Sequence, residues 1–171
     1  VEAAELALAA GERDAARALP FLERATRLNP AAALAHRLAG DGCLALKRLG
    51  AASHFYRRAI RLNPGDAAAL SSLGKTYELL GERLEIPLTF CRQSVALAPD
   101  NGLYRLRLAR LLVKARHPEE ALEHFLRAGE LGYQTARLVD QLRRRLEQPA
   151  QTTPSDAGPQ RAAGRSTRRA R

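Results

Sequence analysis

His117 and His124 lie seven residues apart with Glu119 and Glu120 between them, the stretch of this sequence nearest to a metal or acid–base set. On a helix that spacing is two turns, enough to put both imidazoles on one face. A zinc hydrolase motif would need two histidines four apart with a glutamate between, which the sequence lacks. The two acids also follow Pro118, a pattern that starts helices, where the macrodipole favours negative charge. The histidines are therefore expected to face solvent. Cys43 and Cys91 are too far apart for a redox or zinc motif and too few for a disulfide framework, so buried, reduced thiols are expected. Neither a glycine-rich phosphate cradle nor a G-x-S-x-G elbow occurs. No catalytic residue, metal or cofactor is expected. What remains is charge: Arg107, Arg110 and Lys114 are spaced three and four apart. That spacing aligns them as one cationic stripe on a helix, able to hold carboxylates by charge-assisted hydrogen bonds.

Such a stripe needs helices to present it. The 171 residues are 46% apolar but only 5% aromatic, so a core must be built from Leu and Ala, which favour packed helices over sheets. The phrase RLNP at Arg27–Pro30 returns at Arg61–Pro64, and Pro30, Pro64 and Pro99 follow one another at intervals of 34 and 35 residues. A period of that length marks a stacked repeat. Between Pro30 and Pro64, Leu34, Leu38 and Leu44 keep helical spacing in one segment, as do Phe55, Tyr56, Ala59 and Ile60 in the next. Gly50 and Ala51 are the expected break between the two. Each unit reads as helix, turn, helix and closing proline, and neither helix could bury its apolar stripe alone.

The units resemble the tetratricopeptide repeat (TPR), whose pattern is W-x2-L-G-x2-Y, then A-x3-F, then a proline. Leu73, Gly74 and Tyr77 stand on the Leu, Gly and Tyr positions, with Leu70 in place of Trp. The copy before it has His36 in the Trp place, then Ala39, Gly40 and Cys43, followed by Ala52, Tyr56 and Ala59. The last copy has Leu108, Ala109 and Leu112, then Ala121, Phe125 and Ala128. A small residue in the first helix lets the second come close, and the ring fills the space between neighbouring pairs. The third copy departs, with Pro87 where Ala is expected, Cys91 on the aromatic position and Ser94 on the small one. Pro87 fits the first turn of a late-starting helix. Pro20 should force a late start or a bend in the helix before Pro30, and EAAELALAAGE ahead of it is a weakly marked first helix. After Gly132, Leu138, Leu142 and Leu146 are four apart and read as a capping helix.

The resemblance implies an all-α fold: a right-handed α-solenoid of about four TPR helix–turn–helix repeats plus a C-terminal capping helix, over residues 1–146. Residues 147–171, rich in Pro, Gly, Ser and Arg without a large apolar side chain, are expected to form a disordered basic tail.

For function the resemblance implies a protein–protein interaction scaffold or adaptor whose first helices line a concave groove for a partner peptide or helix. It places Leu34, Leu38, Lys75, Arg107, Arg110 and Lys114 in that groove, with Asp41 and Ala68 at equivalent positions. The groove should then grade from apolar to basic, prefer a protein or peptide with an acidic segment, and leave its cations free of structural duty. The Lys, Arg and Asn carboxylate clamp of the chaperone-tail binders is not matched, because Asp41 and Lys75 occupy its sites. The alternative is a non-catalytic accessory or substrate-selecting domain of a larger enzyme such as a glycosyltransferase, methyltransferase or peptidase. The sequence begins at Val1 without a methionine and reads as a piece of a longer product.

The formal charge of +10 suits acidic partners. Specific nucleic-acid binding is not expected, because Tyr56, Tyr77 and Phe125 sit on core positions and leave no stacking platform. No apolar run approaches the roughly 20 residues that span a bilayer, so no membrane insertion is expected and a cytoplasmic location is assigned. Since the tail has nothing apolar to dock, deleting residues 148–171 should leave the thermal midpoint, followed by circular dichroism, unchanged. A clear fall would show that the tail packs on the body.

Overall fold

A computed structural model of the chain describes residues 11–147. Glu147, expected to open the tail, is the last residue of the final helix; the rest of the expected tail and the weakly marked helix ahead of Glu12 lie outside the described residues. Within them are eight helices and no strand: α1 (Glu12–Leu28), α2 (Ala33–Ala45), α3 (Leu49–Leu62), α4 (Ala67–Leu80), α5 (Glu85–Leu97), α6 (Gly102–Lys114), α7 (Pro118–Glu130) and α8 (Ala136–Glu147). Each packs on the next. Three complete pairs, α2/α3, α4/α5 and α6/α7, are preceded by α1, which carries a second-helix pattern, and followed by α8. The fold is the all-α solenoid that the period implied.

The recurring RLNP is a connector. Asn29 and Asn63 leave the helical conformation at the ends of α1 and α3, because the residue before a proline is sterically excluded from it. Their side-chain oxygens accept from the amides of Ala31 and Gly65, each at 3.2 Å. Their carbonyls accept from the amides of Ala32 and Asp66. Together these bonds turn the chain directly into the next first helix. Asp66 and Asn101 then cap α4 and α6, Asp66 accepting from the Ala69 amide at 2.9 Å and Asn101 from those of Leu103 and Tyr104. His36 and Arg105 stand where the repeat pattern has Trp. Both reach back six residues to a proline carbonyl, His36 Nε2 to Pro30 at 3.1 Å and Arg105 Nε to Pro99. They tie the first helix to its own connector.

The turn inside each pair falls elsewhere than Gly50 and Ala51, which lie in the first turn of α3. It is centred on Lys47, Gly81 and Arg116, at φ of 57°, 76° and 62°. The following amides, of Arg48, Glu82 and His117, donate back to the carbonyls of Cys43, Tyr77 and Leu112 at 2.8, 3.1 and 2.9 Å, the bond that closes a Schellman cap. Two of the three left-handed positions are not glycine, so a reading keyed to glycine misplaces the first turn. Pro20 produces no late start: α1 runs continuously through it. Pro20 and Ala16 are both exposed, so the carbonyl that loses its partner can be hydrated. Pro87 lies in the first turn of α5, as expected.

Packing inside a pair depends on what is missing from the first helix. A Cβ on Gly40 would sit 2.7 Å from the ring of Tyr56. One on Gly74 would sit 2.7 Å from Cys91 Sγ and 3.1 Å from the Pro87 carbonyl. Tyr56 and Cys91 are accordingly buried, in two clusters that divide the core between α1–α4 and α5–α8. The rings of Tyr77 and Phe90, 5.6 Å apart, bridge α4 and α5 at that boundary.

Gly74→Ala should cost roughly 1–3 kcal/mol in urea unfolding, because one of the atoms in the way is backbone and cannot swing aside. Lys47→Gly should instead stabilise by roughly 0.5–1 kcal/mol, relief of left-handed strain exceeding the added freedom of the unfolded chain.

Candidate interaction groove

The contacts define an inner side. α2 approaches α4 and α4 approaches α6, whereas α3, α5 and α7 do not approach one another. First helices therefore form the shorter, inner arc, and their outward-facing residues line it. Leu34, in the first turn of α2, is 45% exposed. Leu38 does not belong to this surface. Only 3% exposed, it is part of the core with Leu22, Ala39 and Tyr56. Small and apolar residues surround Leu38 on α2, so helical spacing alone did not mark which leucine turns inward.

Asp41 is tied into the fold. Its carboxylate accepts from the Tyr56 hydroxyl at 2.7 Å and from Arg37 at 3.1 Å, and Arg37 also pairs with Asp66 at 3.4 Å. Burial raises the Asp41 carboxyl above the usual carboxylate range, against the opposing pull of Tyr56 and Arg37. Arg107 is not free of structural duty either. Half-buried, it crosses from α6 to α4 and donates to Ser71 Oγ at 2.8 Å, and its charge acts on Asp41 as well. Lys75 and Lys114 share one carboxylate, Glu78, with Lys75 at 3.1 Å. Burial pushes the Glu78 carboxyl up, but the hydrogen bonds from Lys114 and Lys75 bring it below its ordinary value. Arg110 is exposed and makes no hydrogen bond or ion pair among the described residues.

Lys75, Arg110 and Lys114 come together on one cleft of about 390 Å³. It opens because α8, unlike the inner helices before it, does not approach the first helix beside it, α6. Glu78, Val113, Gln141 and Arg145 complete its rim, with Leu138 and Leu142 in its wall. Leu34, Leu38 and Arg107 do not line it. Glu78 carried a signal in its i, i+3 spacing from Lys75. Arg145 and Gln141 carried none, since α8 read only as a cap.

The two histidines do not form a pair. His117 is exposed ahead of α7, while His124 is half-buried, with Nδ1 3.4 Å from an Arg105 guanidinium nitrogen. Burial and the Arg105 charge hold the His124 imidazole below its ordinary value. Among the described residues no group of three or more His, Cys, Asp or Glu is placed to hold a metal. Cys43 and Cys91 are buried free thiols, and burial pushes Cys91 up to about 11. Among the described residues no helix is long and apolar enough to cross a membrane.

Repeated helix pairs closed on small residues, with first helices lining the inner arc, make this a tetratricopeptide-type α-solenoid. No family model matches the chain, and neither does any curated protein. Among solved structures it is similar to MamA. A MamA RS-1 ArsTM double mutant superposes with a TM-score of 0.63 at 26% identity, over 69% of this chain and 66% of that one. Two further MamA crystal structures give TM-scores of 0.62 and 0.61, each at 22% identity, over 74% and 72% of this chain and 71% and 67% of theirs. The chain thus spans just under two thirds of the length of the first.

The bond to Ser71 separates two arginines that the sequence treats alike. Arg107→Glu should cost about 1–3 kcal/mol of stability, whereas Arg110→Glu should stay within about 0.5 kcal/mol. Chemical denaturation of both variants measures the difference.

Proposed function

We propose that the domain is a protein-interaction scaffold that holds an acidic segment of a partner protein at the C-terminal end of its inner face. The observation that carries this reading is Arg110, exposed and unpaired among the described residues, on the same cleft as Lys75 and Lys114. An exposed guanidinium on a packed helix offers a planar fork that can hold a carboxylate through two parallel hydrogen bonds. The N-terminal part of the inner face offers less, since Arg37, Asp41 and Asp66 already satisfy one another.

Peptides selected from a random library on the immobilised domain should be enriched in Asp and Glu. Arg110→Glu should weaken them about tenfold or more, while Arg57→Glu, at an exposed site on the second helix α3, should not. Selected peptides that lack acids, or that bind Arg110→Glu as well as the parent, would contradict the proposal.

A further inference from the structure

We propose that α8 is one wall of the binding site as well as a cap, and that a bulky apolar side chain of the acidic segment enters the cleft between α6 and α8. Its flanking carboxylates would lie on Arg110, Lys114 and Arg145. This rests on the reading above and adds the occupant's form.

The inner arc supplies the geometry. α2, α4 and α6 approach one another in turn and α8 breaks the sequence, standing off from α6 while packing on α7. The gap is not a polar seam, for Val113 and Leu138 remain half-buried at its sides and Leu142 lies buried in its wall. An apolar side chain inserted there would complete contacts that the stack makes everywhere else with its own helices. Size limits the occupant. A helix about 10 Å across fills roughly 120 Å³ per residue of its length, so a cleft of about 390 Å³ takes one or two side chains of a segment lying over it and not a whole helix.

Charge selects the remainder of the segment. Lys75, Arg110, Lys114 and Arg145 stand on the rim against the single carboxylate of Glu78. Glu78 already bonds Lys75 and Lys114, so it acts as a built-in competitor for a partner's carboxylate. The same excess disfavours this chain as its own ligand. Its formal charge is +10, and residues 147–171 carry five Arg against Glu147 and Asp156. The occupant that fits is a segment of another protein, with a large apolar residue flanked by acids.

Fluorescence anisotropy with a labelled peptide Glu-Asp-Leu-Phe-Asp-Glu tests this directly. That peptide should bind at least about tenfold tighter than Glu-Asp-Ala-Ala-Asp-Glu and than Lys-Lys-Leu-Phe-Lys-Lys. Arg145→Glu should weaken it about tenfold, and Gln141→Trp, which fills the cleft from an exposed position on α8, should do the same. Glu78→Gln should strengthen it about threefold or more, a gain that loss of a merely structural ion pair would not produce. Circular dichroism melts check that each variant is folded, and Arg145→Glu keeps the test open should Gln141→Trp unfold. If Arg110→Glu abolishes binding while Arg145→Glu and Gln141→Trp leave it unchanged, the cleft is overturned and the inner-face reading stands. If the acidic apolar peptide binds no better than Glu-Asp-Ala-Ala-Asp-Glu, the apolar insertion is overturned and the inner-face reading stands; if it binds no better than Lys-Lys-Leu-Phe-Lys-Lys, or none of the variants matters, both are overturned.

Discussion

The close approach of Gly40 to the Tyr56 ring, and of Gly74 to Cys91 and Pro87, is the constraint on which the remaining architecture depends. Removing a Cβ from the first helix lets the second one lie against its backbone, so each pair becomes a thin plate that can stack. The same contact carries Tyr56 through the pair to the inner side, where its hydroxyl donates to Asp41 at 2.7 Å. Packing and inner-face electrostatics are thereby one system. Asp41 can be partly buried because the ring that passes Gly40 ends in a donor beside it.

The inner face divides accordingly. Toward the N-terminal repeats its charges are spent on the array, Arg37 with Asp41 and Asp66, and Arg107 of α6 turns back to Ser71 on α4. Toward the C-terminal end the cations outnumber the anions, and only Glu78 draws Lys75 and Lys114 inward. A surface of fixed helices with unspent positive charge beside an apolar gap suits a flexible acidic partner, whose ordering is the main cost of binding.

The period, the small positions and the closing prolines were legible in the sequence because each answers to a local steric rule. Gly40, Gly74, Pro87 and the RLNP connectors all serve as those rules require. The first intra-pair turn was misplaced because Lys47 takes a left-handed conformation that glycine usually signals. Leu38, which the repeat resemblance puts in the groove, is core instead, because an alanine- and glycine-rich helix has two apolar sides and its pattern does not say which meets α3. Of the candidate cleft, Arg110 and Lys114 could be read from helical spacing and Lys75 from the repeat resemblance. Arg145 and Gln141 could not, since their approach depends on how far α8 stands from α6, which tertiary packing sets.

Binding at the C-terminal end of the inner face can be observed directly. Amide chemical-shift mapping of the isotopically labelled domain, titrated with the acidic apolar hexapeptide, addresses it without altering the protein. The largest shifts should fall on α4, α6 and α8, around Lys75, Arg110, Lys114 and Arg145, with α3 silent. Shifts concentrated on α3, α5 and α7, or spread evenly over the array, would contradict it.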